Sequence, residues 1–190
     1  MRVLGISGSL RRDSYNTKLL REAGRLLPPG AELVEFDGLK AVAPFDADDE
    51  AAPIPPRGVF ELRAAIGDAD ALLIATPEYN HSIPGVLKNA IDWASRPKAE
   101  AALKNKPAAV IGTSTGMFGA VWAQAEARKV LAATGARVVD VELPVPHAEA
   151  AFAGDRLADA AVHESLGGIV EELIATAEAS SEPQELPAAA

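Results

Sequence analysis

Ala71-Leu72-Leu73-Ile74-Ala75, followed directly by Thr76-Pro77-Glu78-Tyr79-Asn80-His81-Ser82, is the stretch on which the fold turns. Five apolar residues in unbroken succession, with no polar alternation, describe a strand buried on both faces, as in the interior of a parallel sheet. A polar, proline-containing loop then follows its carboxyl end. Such a strand needs helices on both sides, and the surrounding sequence supplies them.

Upstream, Val3-Leu4-Gly5-Ile6 forms a first strand, and Leu19, Leu20, Ala23, Leu26 and Leu27 recur behind it at helical spacing until Pro28-Pro29-Gly30 stops the helix. Leu33-Val34-Glu35-Phe36 is the second strand. The acid- and proline-rich segment from Asp37 to Pro56 is expected to be a long loop, either a solvated connection or the border of a site. A helix over Arg57 to Gly67 leads into the central strand. Downstream, Ser82 is expected to cap and Pro84 to start a helix through Leu87, Ala90, Ile91 and Ala94. Ala108-Ala109-Val110-Ile111 gives a fourth strand, Ala120 to Thr134 a helix, and Arg137-Val138-Val139 a fifth strand. Val162, Leu166, Ile169, Val170, Leu173 and Ile174 make a last amphipathic helix. Strands alternating with helices predict an α/β, three-layer fold around a five-stranded parallel sheet of order 2-1-3-4-5. Residues 1–178 are expected to form one domain and 179–190 a disordered acidic tail. Ligands of such a sheet bind where the winding reverses, at the carboxyl ends of strands 1 and 3.

Composition narrows the chemistry. The 190 residues carry 18 Lys plus Arg against 27 Asp plus Glu, a net charge of −9, which argues against a nucleic-acid partner. Cysteine is absent, so disulfides, thiolate nucleophiles and cysteine-held metals are excluded. His81, His147 and His163 lack metal-ligand spacing, so no metal is expected. No apolar run approaches membrane length, and Met1-Arg2-Val3-Leu4 enters a strand, which makes a cytoplasmic protein the expectation. The charge is uneven: seven acids and no Lys or Arg follow Arg156, leaving −2 for the first 156 residues.

Three loops carry candidate chemistry. Gly8-Ser9-Leu10-Arg11-Arg12-Asp13-Ser14-Tyr15-Asn16-Thr17 joins the first strand to a helix N-terminus. Unpaired N–H groups, the hydroxyls of Ser9, Ser14 and Thr17, and the Arg11 guanidinium suit a phosphate, with Arg12 and Lys18 outnumbering Asp13 nearby. Neither dinucleotide nor Walker spacing is present, so a monophosphate is the better ligand; a capped loop with a salt-bridged arginine is the alternative. In the loop after the third strand, Pro77 and Tyr79 offer apolar surface beside polar groups, suited to the edge of a flat ring, although a plain turn uses the same residues. Gly112-Thr113-Ser114-Thr115-Gly116 matches the Gly-x-Ser-x-Gly nucleophile elbow, with Asp140 and His147 or His163 downstream; small residues there equally admit close approach of a flat ligand. Trp93 and Trp122 fall on helices, where core packing is the default and a subunit contact the alternative.

Taken together, GSLRRDSYN, TPEYNHSIPGVLKNAIDWASRP and VIGTSTG resemble the NADPH-dependent FMN reductase family, which includes quinone, chromate and azo-dye reductases. The resemblance implies a flavodoxin-like fold and an FMN held at the interface of a homodimer, which in such families often pairs into a tetramer. It places phosphate-binding residues at Ser9, Arg11, Ser14, Asn16 and Thr17, ring-edge residues at Pro77, Glu78, Tyr79 and Asn80, and a third flavin contact at Ser114 with Gly116 nearby. It implies ping-pong transfer of hydride from NADPH or NADH through FMN to quinones, free flavin or other acceptors, with no side chain needed as acid or base. A non-catalytic electron carrier or flavin sensor shares these loops, and the serine hydrolase remains a lesser alternative. Asp92 and Arg96 match inter-subunit charged positions of the family. Many members carry Gly-Gly-x-Arg where this chain has Gly119-Ala120-Val121-Trp122, so tryptophan stands in place of arginine.

Overall fold

The apolar run at 71 is strand β3 (Ala71–Thr76), with every residue buried. A computed structural model of the chain describes residues 1–181. In it β3 lies between β1 (Arg2–Ser7) and β4 (Pro107–Thr113), both parallel to it. β2 (Glu32–Glu35) pairs with the far side of β1, and β5 (Arg137–Val138) with the far side of β4. The order β2-β1-β3-β4-β5 is the expected one.

Alternation along the strands divides the core in two. Leu4, Ile6, Leu72, Ile74 and Val110 face Leu62 and Ile66 of α3 (Arg57–Gly67), Leu87 and Ile91 of α4 (Gly85–Ala94) and Leu131 of α5 (Val121–Ala133). Val3, Leu73, Ala109 and Ile111 face Leu19 and Leu20 of α1 (Tyr15–Arg25), and Leu166, Ile169, Val170 and Leu173 of a long C-terminal helix, Ala160–Ser181. Strand residues of opposite parity point to opposite faces, so a fully apolar strand feeds both layers. Trp93 is wholly buried in the first cluster, its indole N–H donating to the Ala43 carbonyl at 2.8 Å.

Four expectations are corrected. Segment 37–56 is not one loop: it contains a 3-10 turn, Gly38–Ala41, and a short helix α2 (Ala47–Ala51), capped by Asp46, whose carboxylate accepts from Asp48 N–H. The fifth strand is interrupted: after β5 the chain leaves the sheet and returns as β6 (Pro144–Val145), which also pairs with β4. Ser82 does not cap α4; its backbone N–H and C=O pair with Tyr79, and Pro84 occupies the cap position. Trp122 is not a core residue, being 40% exposed.

Beyond β6 come α6 (Ala148–Ala151) and a hairpin of β7 (Phe152–Ala153) with β8 (Arg156–Leu157), none expected from periodicity. The C-terminal helix, now α7, continues through Ser181, so Ala179–Ser181 of the expected tail are helical; 182–190 lie outside the described residues. Among the described residues no helix is long and apolar enough to cross a membrane.

Candidate functional site

The carboxyl ends of β1, β3 and β4 open into a cleft of about 210 Å³. Ser9, Arg11 and Ser14 line it from the loop after β1, Asn16 from the first turn of α1, Pro77, Glu78 and Tyr79 from the loop after β3, and Ser114 from the loop after β4. Three loops far apart in sequence are thus brought together because parallel strands deliver all their carboxyl ends to one edge.

The wall at α1 has the chemistry of an anion site. Ser14 is the N-cap, its backbone extended (φ −73°, ψ 127°), and its buried hydroxyl oxygen accepts from Thr17 N–H at 3.3 Å. The N–H groups of Tyr15 and Asn16 have no acceptor inside the helix, as in any first turn. The Ser9 hydroxyl oxygen accepts from Arg11 N–H at 3.4 Å, leaving its proton, like that of Ser14, to donate into the cleft. The Arg11 guanidinium sits 5.1 Å from the Tyr15 ring centre. Lys18, expected to add to this positive field, is instead paired: it bridges Asp155 Oδ1 at 2.9 Å and donates to the Gly154 carbonyl. That hydrogen bond holds the Asp155 carboxyl below its ordinary range.

Asn16 and Thr17 are spent on the frame. The Asn16 amide donates to the Thr113 carbonyl and accepts from Thr113 N–H, both at 3.0 Å, stitching the β1 loop to the end of β4 in a buried setting. Thr17 Oγ1 donates to Ser7 Oγ at 2.9 Å and does not line the cleft. Gly8 keeps the loop close, since a Cβ there would press on Leu87 and Pro77.

On the opposite wall, Tyr79-Asn80-His81-Ser82 is a tight turn closed by Tyr79–Ser82 backbone bonds of 3.0 and 3.1 Å. Asn80 (φ 52°) and His81 (φ 60°) are both left-handed, as the central residues of a type I′ turn must be. Asn80 is not part of the cleft lining, whereas Tyr79, half exposed, is. Glu78 reaches across to α5, where its Oε2 accepts from the N–H groups of Trp122 and Ala123 at 3.1 and 3.2 Å. A carboxylate at a helix N-terminus satisfies orphan donors and complements the dipole. The third wall is fixed by β6 and α6: Ser114 N–H donates to Val145, His147 N–H to Gly116 and Ala148 N–H to Ser114 carbonyls. Gly116 therefore supports the wall from behind.

Tyr15, Thr113, Thr115, Ala148 and Glu149 also line the cleft. Thr113 and Thr115 sat within a segment already singled out; Ala148 and Glu149 carried no local signal, because only the return of β6 to β4 brings them here.

The serine-hydrolase geometry is not assembled. Ser114 has ordinary negative φ, α5 starts well beyond it, and its hydroxyl donates weakly to Gly116 at 3.4 Å. Asp140 lies in solvent near Arg128, and His163 faces Glu22 at 3.8 Å. Among the described residues no His, Asp and Glu cluster could hold a metal ion. Hydroxyls, a helix N-terminus and one guanidinium instead fit a phosphomonoester joined to a flat group resting between Tyr79 and the Ser114 wall.

The sequence profile of the NADPH-dependent FMN reductases matches residues 1–150. The chain belongs to the NADPH-dependent FMN reductase family. It is 50% identical over 131 residues to an NAD(P)H-dependent FMN reductase of Pseudomonas aeruginosa, covering 69% of each chain. It is 42% identical over 135 residues to a 2-hydroxy-1,4-benzoquinone reductase of a Burkholderia species, covering 70% of each. Its fold superposes on the flavoenzyme NAD(P)H:acceptor oxidoreductase FerB of Paracoccus denitrificans with a TM-score of 0.81 and 36% identity, over 94% of this chain and 97% of that one. As a member of the FMN reductase family the chain is an oxidoreductase of flavodoxin-like fold, with FMN as cofactor and NAD(P)H as co-substrate.

Proposed function

We propose that this FMN reductase passes electrons from NAD(P)H to quinones, with its FMN seated in the three-loop cleft. The observation that carries the reading is the shared cleft itself: an anion cradle at the α1 N-terminus faces a ring-edge turn one strand away, the layout a flavin mononucleotide requires. Ser9, Arg11, Ser14 and the N–H groups of Tyr15 and Asn16 hold the phosphate, while Asn16 and Thr17 keep that cradle in shape. Pro77, Glu78 and Tyr79 border the ring, Asn80 shapes the turn that carries them, and Ser114 forms the far wall with Gly116 backing it. FMN supplies the hydride-accepting chemistry; the protein supplies position and dipoles. The overall balance is NAD(P)H plus a proton plus quinone giving NAD(P)⁺ plus hydroquinone, a two-electron transfer that needs no side-chain acid or base.

A cytoplasmic homodimer is part of the same reading. Strongly exposed Ile54 and Phe60 on and before α3 supply apolar area for a second copy, as does Phe45, which packs edge-on to Trp93 at 4.9 Å. Asp92 is paired with Lys88 within its own helix, and Arg96 lies over Phe45 and so is presented on that side.

The test is an absorbance spectrum of the purified protein followed by anaerobic titration with NADPH and NADH. A yellow protein that bleaches with either nucleotide and recovers with quinone is expected. Flavin that resists both nucleotides would turn the reading to a carrier, and colourless protein that does not take up FMN would end it.

A further inference from the structure

Beside the cleft lies an aromatic surface that holding FMN does not explain. Phe118 and Trp122 meet with ring centres 4.7 Å apart, and His81 stands edge-on to Trp122 at 4.8 Å. Phe118 is 52% exposed and Trp122 40%, with Met117 (65%) and Tyr79 (52%) alongside. Four of the nine large hydrophobic side chains exposed among the described residues therefore gather at this one rim. Apolar area of this kind in contact with solvent marks a binding surface.

The backbone that presents these rings is held in sparsely populated conformations. His81 (φ 60°) and Ala120 (φ 62°) are left-handed, and Gly119 (φ 57°) packs so tightly on Pro144 and Val145 that a Cβ would collide with their backbone. Glu78 then locks the start of α5 to the β3 loop through Trp122 N–H. Strain of this sort persists only where the surroundings impose it, and it concentrates at functional sites. The Trp122 backbone is thereby fixed relative to the turn that borders the cleft.

We propose that Phe118, Trp122 and His81 form a shelf at the cleft mouth on which planar, uncharged electron acceptors of the quinone class stack, and that Trp122 sets the preference for them. This rests on the cleft being the FMN site. The shelf carries no Lys or Arg, so it suits a flat apolar ring and not the diphosphate of a dinucleotide. Edge and face contacts among aromatic rings supply the recognition.

The test uses the FMN-loaded protein, with 1,4-naphthoquinone and ferricyanide as alternative acceptors. Ferricyanide is a charged octahedral ion that cannot stack. Trp122→Ala is expected to lower the ratio of kcat/KM for naphthoquinone over ferricyanide about five- to tenfold, through KM, as loss of an aromatic pair would. Trp122→Phe should restore most of the ratio, and Val141→Ala, at an exposed apolar residue outside the cleft lining, should leave it as in the parent. Independently, naphthoquinone should quench the exposed Trp122 emission saturably in a Trp93→Phe background. An unchanged ratio, an equal loss with both acceptors, or a change of oligomeric mass without a change of ratio would overturn the shelf, the last marking it as a subunit contact. If the parent protein holds no flavin or fails to bleach with NAD(P)H, it is the FMN reading that falls.

Discussion

Arg11 is the only cation among the residues that line the cleft, and it is exposed, without an ion pair among the described residues. Its guanidinium is available to a phosphate, whereas Lys18, which sequence proximity suggested as a helper, is committed to Asp155. Arg11→Ala should raise the FMN dissociation constant about tenfold, the low end for a charge-assisted hydrogen bond at a solvated site. Flavin released on extended dialysis measures it; a variant that retains flavin as the parent does would remove Arg11 from the phosphate site. Asn16 makes the opposite case. Its amide is buried and its two bonds satisfy both backbone groups of Thr113, so Asn16→Ala strands a donor and an acceptor and should cost about 2–4 kcal/mol. Denaturant unfolding of the apoprotein reads that cost directly, and a loss below about 1 kcal/mol would show that water replaces the amide. The two substitutions separate ligand affinity from stability within one ten-residue loop.

The helices and strands were legible where one local rule sufficed. The unbroken apolar run at 71–75 can only be an interior strand, and Pro28-Pro29-Gly30 can only end a helix. The return of the chain as β6 had no such signature, because it is set by distant groups. Buried Gln124 on α5 accepts from Leu143 N–H and donates to the Leu143 and Gly119 carbonyls, and Thr113 Oγ1 donates to Val145. These bonds draw Pro144–Val145 onto β4 and carry Ala148 and Glu149 into the site, so half of the third wall was invisible in sequence. The β7–β8 hairpin is likewise tertiary. It is pinned to α1 by Arg156, whose Nε lies 3.0 Å from both oxygens of Glu22, a carboxylate with no exposed side-chain surface that Arg25 also contacts. Glu22→Gln should lose about 2 kcal/mol, since it removes the charge of a fully buried carboxylate that two guanidinium groups share. Arg156→Ala should lose less than about 1 kcal/mol, because Arg156 is itself well exposed and Arg25 remains. Equal losses in thermal unfolding would mean that Glu22 stabilises the molecule through its hairpin contact with Arg156 alone, with nothing from Arg25.

The formal −9 of the chain stands against a cofactor that carries a phosphate, and the geometry reconciles them by distance. Among the described acids after Arg156, Asp159 precedes α7 and Glu164, Glu171, Glu172 and Glu178 lie on it, outside the cleft lining, while the α1 N-terminus presents N–H groups, hydroxyls and Arg11 at the carboxyl end of the sheet. Of the two acids that line the cleft, Glu78 and Glu149, Glu78 is offset by the α5 N–H groups it caps. Binding in such a cleft ties together loops from β1, β3 and β4, adding to the sheet, the Asn16–Thr113 stitch and the bonds from Glu78 to α5 that already join them. FMN therefore binds the folded molecule and not the unfolded chain, and its free energy adds to stability by mass action. At free FMN one hundred times the dissociation constant the gain is about 2.7 kcal/mol. For a chain of this length that corresponds to a rise in Tm of roughly 5–10 °C, increasing with the logarithm of FMN concentration. Riboflavin, which has the ring and lacks the phosphate, should give a much smaller rise, and Arg11→Ala should shrink the difference between the two ligands. Equal shifts with FMN and riboflavin would mean that the α1 cradle contributes nothing to affinity, and the assignment of Ser9, Arg11 and Ser14 to the phosphate would have to be abandoned even if the protein proved yellow.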